Sequence, residues 1–190
     1  MRTTVALSVC PPARYRPLRP GSVTSPPIWR GTHSLSADRT PVRLLILTWE
    51  YPPIVEGGLA RHVCKLAENL VQQGVEVHVL TRGARADEIR AGVHVHRVDE
   101  PATPRGDLDA FLRWIEHMNA DMDHAGRALF ADGGFDVVHG HDWLVARSAA
   151  ALARRFHVPY LTTVHATEYG RHQGRVEQPP ASAIPGVERW

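Results

Sequence analysis

The chain has 190 residues, of which 43% are hydrophobic and 22% charged, a composition that fits one packed globular domain with a tail. Its two cysteines, Cys10 and Cys64, are too few for a disulfide framework or a cysteine metal site. A reducing, cytoplasmic setting is therefore expected. No apolar run approaches the roughly 18 residues that a membrane span needs, so none is expected.

Residues 1–40 differ from the rest of the chain in composition. They contain six prolines and six arginines against one acidic residue, Asp38, and they lack a sustained apolar period. This composition predicts a disordered tail without a function of its own. A transit peptide, or a natural start near Val42, are the alternatives. Because the basic character comes from this tail, we expect no nucleic-acid partner for the folded body.

From Pro41 onward, buried strands alternate with amphipathic helices. The apolar pattern predicts strands at 42–48, 75–81, 93–98, 135–139 and 158–164, and helices at 59–74, about 107–131 and about 143–156. Gly74 is placed to end the first helix, and Asp107 to cap the second. This order predicts an α/β fold with a doubly wound, mainly parallel, Rossmann-like sheet over residues 41–190.

Polar segments follow three of the predicted strands. The first ends in Gly57-Gly58, the second is His-Gly-His-Asp-Trp at residues 139–143, and the third is His-Ala-Thr-Glu-Tyr-Gly-Arg at residues 165–171. Ligands of open α/β sheets bind outside the carboxyl ends of the strands. We therefore expect these three segments to form one shared site.

A glycine pair at the start of a helix can expose backbone N–H groups to a ligand. Together with the positive end of the helix dipole, these groups suit a phosphate or diphosphate. A Cβ atom at Gly57 or Gly58 would keep the anion away, and glycine also permits a positive φ. A tight turn without a ligand is the alternative.

The other two segments carry side chains that can bind sugar hydroxyls. Combined with a diphosphate site, they suit a nucleotide-sugar as the ligand. The candidate side chains are His141, Asp142, His165, Glu168 and Arg171.

Two other enzyme classes fit less well. A nicotinamide dehydrogenase would need Gly-x-Gly-x-x-Gly after the first strand and an acidic residue after the second, where the sequence has Thr81-Arg82. A nucleophilic hydrolase would need Gly-x-Ser-x-Gly, whereas Ser148 lies within a predicted alanine-rich helix.

The chain has twelve histidines, which raises the question of a metal site. His139 and His141 could ligate zinc together with Asp142, but we expect their imidazoles to converge only if the strand breaks after His139. Three further histidines, at positions 78, 94 and 96, lie on predicted strands without a clear partner. We therefore expect structural or hydrogen-bonding histidines, and neither a metal nor another cofactor.

Taken together, three motifs resemble the N-terminal domain of GT-B glycosyltransferases of family 4 and the related glycogen and starch synthases. Tyr51-Pro52-Pro53 followed by Gly57-Gly58-Leu59 is similar to the loop after their first strand. His141-Asp142-Trp143 matches the synthase His-Asp-Trp motif, and Thr163-Val164-His165 matches a strand end of the family. The resemblance covers about residues 42–178.

The resemblance implies retaining transfer of glucose from ADP- or UDP-glucose to an α-glucan or another sugar acceptor, with no metal needed for departure of the diphosphate. It places Gly57 and Gly58 by the donor diphosphate. It gives His165 a catalytic position beside the transferred sugar, and Asp142 a position at the sugar hydroxyls. Val55 stands where the synthases carry a lysine.

The resemblance also implies a second, donor-binding Rossmann-like domain, with an Arg/Lys pair and a Glu-x7-Glu element. Residues 41–190 are therefore expected to be the acceptor-side half, truncated before the donor domain and inactive alone, because a two-domain cleft aligns donor and acceptor. The alternative is a stand-alone module that binds a glycan or pairs with a separate donor-domain chain.

Overall fold

The structure is a computed structural model, and it describes residues 4–6, 40–84, 86–99 and 107–167. Its strands are β1 (Thr4–Ala6), β2 (Arg43–Thr48), β3 (Glu76–Arg82), β4 (Glu88–Arg90), β5 (Val93–Val98), β6 (Val137–His141) and β7 (Tyr160–Val164). Its helices are α1 (Gly58–Gln72), α2 (Leu108–Ala131) and α3 (Ala146–Phe156), with a 3-10 turn at Trp143–Val145. Within these segments, no helix has the length and apolar character that a bilayer crossing requires.

The described strands form one sheet in the order β1-β7-β6-β2-β3-β5-β4. The five inner strands run parallel, whereas β1 and β4 pair antiparallel at the two edges. The predicted doubly wound, mainly parallel fold is confirmed. The pattern missed β4, because its three exposed residues show no alternation of burial.

The central strand β2 sends side chains into two separate cores. Leu44 and Ile46 pack with the buried face of α1, whereas Leu45 and Leu47 pack with residues of α2 and α3. Helices therefore cover both faces of the sheet, which explains why β2 is apolar at consecutive positions.

Predicted helix ends at Gly74 and Asp107 are confirmed. Gly74 has a φ of +83°, and its N–H donates to the carbonyl of Val71 at 2.9 Å. A side chain would be strained in that conformation, which is why glycine suits the position. The carboxylate of Asp107 accepts a hydrogen bond from the N–H of Asp109 at 3.0 Å and caps α2.

The strand predicted at 135–139 runs instead from Val137 to His141. Its register follows β2, with Val137 paired to Leu44 and His141 paired to Thr48. The strand therefore continues through His141, and the expectation that only a break after His139 would bring the two imidazoles together is wrong. Residues two apart on a strand share a face, and the rings of His139 and His141 lie with centroids 4.1 Å apart.

The predicted tail over residues 1–40 lies outside the described residues, apart from Thr4–Ala6 and Thr40. Strand β1 pairs with β7, so that Thr4 lies opposite Val164 and Ala6 opposite Thr162. These three residues therefore extend the sheet. Such a short strand gives too few positions for a periodic pattern.

Candidate functional site

Three neighbouring strands and the start of α1 meet near the carboxyl edge of the sheet. The end of β2 at Thr48 is paired with His141 of β6, and His141 is paired with Thr163 of β7. His165 follows directly after β7, and α1 begins at Gly58 after the loop that leaves β2. The structure therefore brings the three predicted segments to one edge.

The imidazoles of His141 and His165 lie at the centre of this edge. Nδ1 of His141 is 3.1 Å from Nε2 of His165, a hydrogen-bond distance in which either ring can be the donor. His141 is fully buried, and its Nε2 has no hydrogen-bond partner among the described residues. Such an orphaned buried nitrogen is costly, and it marks a position where a ligand atom would be stabilising.

A third histidine, His62, joins the pair from α1, and the sequence analysis missed it. Its ring centroid lies 5.0 Å from that of His165 and 5.9 Å from that of His141. His62 is exposed and lies one turn after Gly58. Because helical side chains tilt towards the helix N-terminus, a histidine there points towards the strand ends, and this signal could have found it.

The imidazoles of His139, His141 and His165 are held neutral near pH 7. Burial, and then the neighbouring histidines, lowers the pKa of His141 to about 2 and the pKa of His139 to about 4. Burial also lowers the pKa of His165; His62 acts in the same direction, while Glu50 opposes it. Neutral rings can each donate one hydrogen bond and accept another, which suits sugar hydroxyls.

The loop that follows β2 is organised by Glu50, which the sequence analysis did not single out. Its carboxylate is buried and accepts hydrogen bonds from the N–H groups of Glu56 at 2.6 Å, Gly57 at 3.0 Å and Ala60 at 3.3 Å. An anionic group thus already occupies part of the α1 N-terminus. The chain itself thereby confirms that this helix end favours negative charge.

Neither glycine of the predicted diphosphate site has a positive φ. Gly57 has a φ of −154°, which any residue can adopt. A Cβ at Gly57 would contact Glu50 Oε1 at 3.6 Å, and a Cβ at Gly58 would meet no protein atom within 4 Å. The described protein therefore does not itself require glycine at Gly58, and open space adjoins the helix start.

Asp142 is placed by a strained backbone at the end of β6. Its φ is +68°, a region that non-glycine residues rarely adopt except at functional sites. Its carboxylate accepts a hydrogen bond from the N–H of Trp143 at 3.3 Å, and its own N–H donates to the carbonyl of Thr163 at 2.8 Å. Only 5% of Asp142 is exposed, so its carboxylate has a structural as well as a candidate sugar-binding role.

Two buried arginines hold the loop between β2 and α1. Arg82 Nε donates to the carbonyl of Trp49 at 2.8 Å, and its guanidinium pairs with Glu56. Arg97 donates to the carbonyl of Pro52 at 2.6 Å from the end of β5. Arginine side chains at the ends of β3 and β5 therefore hold this loop in place.

The three strand histidines at positions 78, 94 and 96 are structural, as expected, and the structure supplies the partners that the sequence did not reveal. His78 stacks on His94 with centroids 4.5 Å apart, and its Nδ1 lies 3.0 Å from Nε2 of His96. Glu76 lies 3.0 Å from His78 Nε2, and Asp87 lies 2.9 Å from His96 Nδ1. This ladder is a structural network on the strands and is separate from the strand-end histidines.

Two candidate side chains, Glu168 and Arg171, lie outside the described residues. Among the described residues, one set of side chains could hold a metal ion: His62, His141 and His165, whose nitrogens, one from each, lie within 4.8 Å of one another. It differs from the set considered from the sequence, which comprised His139, His141 and Asp142.

Comparisons with known proteins give matches over most of the chain. A family profile described as "Glycosyl transferase 4-like domain" matches residues 57–190. The glycogen synthase of Mycobacterium tuberculosis strain H37Rv is 38% identical over 163 residues, which are 78% of this chain and 39% of that protein. A D-inositol 3-phosphate glycosyltransferase of Frankia alni is 40% identical over 114 residues, 57% of this chain and 28% of that protein.

Solved structures show the same fold. The sucrose-phosphate synthase of Thermosynechococcus elongatus superimposes with a TM-score of 0.62 at 20% identity, over 77% of this chain and 39% of that one. The chain therefore spans about 39% of the length of these two synthases.

Proposed function

The chain belongs to the Glycosyl transferase 4-like domain family, and on that premise we propose that it is the acceptor-side half of a retaining glucosyltransferase. The proposed reaction moves glucose from a nucleotide-sugar to an α-glucan or another sugar acceptor. The half described here would not complete the reaction alone, because donor and acceptor must be aligned across a two-domain cleft.

One observation carries the proposal: the paired imidazoles of His141 and His165, 3.1 Å apart, adjoin the start of α1 at the carboxyl edge of the sheet. Neutral imidazoles bind hydroxyls, and a helix start stabilises a phosphate. A ligand with sugar and diphosphate parts would satisfy both elements at once.

We propose a distinct role for each part of this edge. His165, which is half-buried after β7, would contact the transferred sugar, while His141 would orient His165 and bind a hydroxyl. Asp142 would fix the acceptor or donor hydroxyls. Glu168 and Arg171 would extend the sugar site beyond the described residues.

Gly57 and Gly58 would lie beside the donor diphosphate, and the N–H of Gly58 would face it. The carboxylate of Glu50 already accepts from the N–H of Gly57, so it shapes this end of the loop. The open space beside Gly58 leaves room for a phosphate to approach the positive end of α1. Departure of the diphosphate would then rely on helix dipoles and hydrogen-bond donors, with no metal required.

The relatives guide the choice of substrates. The mycobacterial relative is named a glycogen synthase, which supports glucose as the transferred sugar and an α-glucan as the acceptor. ADP-glucose is the first donor to test and UDP-glucose the second, followed by GDP-sugars. Cys64 is a free, buried cysteine, as suits the cytoplasmic setting that we propose.

The test is to read the natural gene through the codons that follow Trp190 and to express the resulting chain. The extended chain is expected to transfer labelled glucose to glycogen, and residues 1–190 alone are not. Transfer at a normal rate by residues 1–190 would contradict the proposal that this half needs a donor domain for activity. An extended chain with no glycosyl transfer from any of the three donors would contradict the proposed reaction.

A second candidate function is a glycan-binding module that pairs with a separate donor-domain chain. It rests on the strand-end imidazoles of His141 and His165, which could bind glycan hydroxyls without a donor domain in the same chain. Glycan binding by residues 1–190, combined with a gene that encodes no donor domain after Trp190, would support this alternative over the first.

A further inference from the structure

Three imidazoles from three different elements converge beside the sheet edge. His62 comes from α1, His141 ends β6, and His165 follows β7. One nitrogen of each ring lies within 4.8 Å of a nitrogen of each of the other two. Nitrogen ligands that converge from separate elements in this way are typical of a metal site.

The spacing of the inner pair also fits a shared ion. Two nitrogens bound at about 2.0–2.1 Å to one tetrahedral Zn²⁺ stand roughly 3.3 Å apart. Nδ1 of His141 and Nε2 of His165 are 3.1 Å apart, close to that separation. The exposed ring of His62 can rotate to complete the third position, and it also lies open to solvent for entry of an ion.

We infer that His62, His141 and His165 bind a transition-metal ion of the zinc class, with one nitrogen from each ring and a fourth position open to solvent. Imidazole is a preferred ligand for Zn²⁺, Cu²⁺ and Ni²⁺, whereas Mg²⁺ prefers oxygen. Binding needs one lone pair from each ring, which a neutral imidazole supplies.

The strand histidines do not form a competing site of the same kind. The ring of His78 is nearly parallel to those of His94 and His96, at interplanar angles of 6° and 13°. Nδ1 of His78 and Nε2 of His96 also lie 3.0 Å apart, but the described residues supply no third ligand atom that completes a cluster with them. Carboxylates of Glu76 and Asp87 also engage two of these rings, so the ladder serves as an internal control.

The ion would occupy the position that the proposed function gives to the transferred sugar. This consequence rests on the proposed function, whereas binding of the ion does not. A bound transition metal would therefore exclude the sugar and act as an inhibitor, in a reaction that we propose to run without a metal. Ion binding can be measured directly on residues 1–190, independently of any transfer activity.

The test is calorimetric titration of the metal-free chain with ZnCl₂, with MgCl₂ as the hard-cation control. We expect Zn²⁺ to bind and Mg²⁺ not to bind. His62→Ala should weaken the affinity for Zn²⁺ by more than about tenfold, because it removes a ligand. His62 is exposed, so this variant should fold, which circular dichroism checks.

Two matched variants complete the test. His124→Ala removes an exposed histidine of α2, and His94→Gln disrupts the strand ladder; both should keep the wild-type affinity. In addition, Co²⁺ should give the strong visible absorption of a tetrahedral site in the wild type and lose it in His62→Ala. Absence of Zn²⁺ binding, equal affinity of His62→Ala and wild type, or loss of affinity in His94→Gln would overturn the inference.

Discussion

The carboxylate of Glu50 accepts a hydrogen bond from the N–H of Gly57 at 3.0 Å, and it also binds the N–H groups of Glu56 and Ala60. Glu50 lies two residues after the end of β2, and these hydrogen bonds fold the loop back onto the start of α1. The same carboxylate raises the pKa of His165, against the larger effect of burial. Glu50 therefore couples the geometry of the helix start to the electrostatics of the histidine site.

Replacing Glu50 should destabilise the fold as well as the loop. Glu50→Ala removes the acceptor of three N–H groups, of which that of Ala60 is buried, so we expect a loss of about 1–3 kcal/mol in the free energy of unfolding. Urea denaturation measures it. Glu116→Gln is the control, because Glu116 is exposed and its ion pair with Arg147 lies at the surface, where we expect a change below about 0.5 kcal/mol. Equal effects of the two variants would contradict the role of Glu50.

The cap that Asp142 provides makes a graded prediction. Asparagine keeps a side-chain oxygen that can accept from the N–H of Trp143, whereas alanine loses this cap, at a cost of about 0.5–2 kcal/mol. Asp142→Asn should therefore keep most of the stability, and Asp142→Ala should lose clearly more. Thermal and urea unfolding of both variants provide the comparison. A result in which Asp142→Asn is the less stable of the two would refute this account.

The central strand offers a test of the core. Leu45 is fully buried between β2 and the helices α2 and α3. Leu45→Ala should lower the free energy of unfolding by about 2–5 kcal/mol, because it removes apolar contacts and leaves a cavity. Val42→Ala, at a position with 51% exposure, should change it by less than about 0.5 kcal/mol.

The strand ladder predicts a pH dependence of stability. Burial lowers the pKa of His78, and His94 and His96 lower it further, whereas the hydrogen bond that its ring donates to the carboxylate of Glu76 raises it. The pKa of His78 is therefore lower in the folded state than in the unfolded state, where it is near 6.5. Folding is not opposed by protonation of His78 above that pH, and stability is lost as the pH falls below it, because the unfolded state then binds more protons.

We therefore expect the chain to lose stability between pH 7 and pH 5, and His78→Gln to lose less over the same interval. Urea midpoints at the two pH values measure the difference. His124→Gln, at an exposed position of α2, should follow the wild-type curve. A His78→Gln curve as steep as that of the wild type would contradict the assignment.

The sequence predicted the sheet and the edge of the site because both depend on local patterns. Buried strands such as β2 are apolar at consecutive positions. Gly74 predicts the end of α1 because glycine is the residue type that most readily adopts a positive φ. Polar residues directly after β6 and β7 then had to share one edge, because parallel strands end on the same side.

Other parts depended on contacts that a linear pattern does not show. Glu50 acts through N–H groups six to ten residues further on, so its role appears only once the loop is folded. The end of β6 at His141 is set by pairing with β2, not by the local sequence. His62 belongs to the exposed side of an amphipathic helix, and its position near the site follows from where α1 begins.

The measurement that tests the central claim most directly is an NMR titration of residues 1–190 with a malto-oligosaccharide, followed at the imidazole C–H resonances. We expect shifts at His141 and His165, and a loss of binding in His165→Ala, while His124→Ala binds as the wild type does. His165 follows the last strand and should be replaceable without loss of the fold. Unchanged imidazole resonances, or equal sugar affinity of His165→Ala and wild type, would contradict a sugar site at this edge.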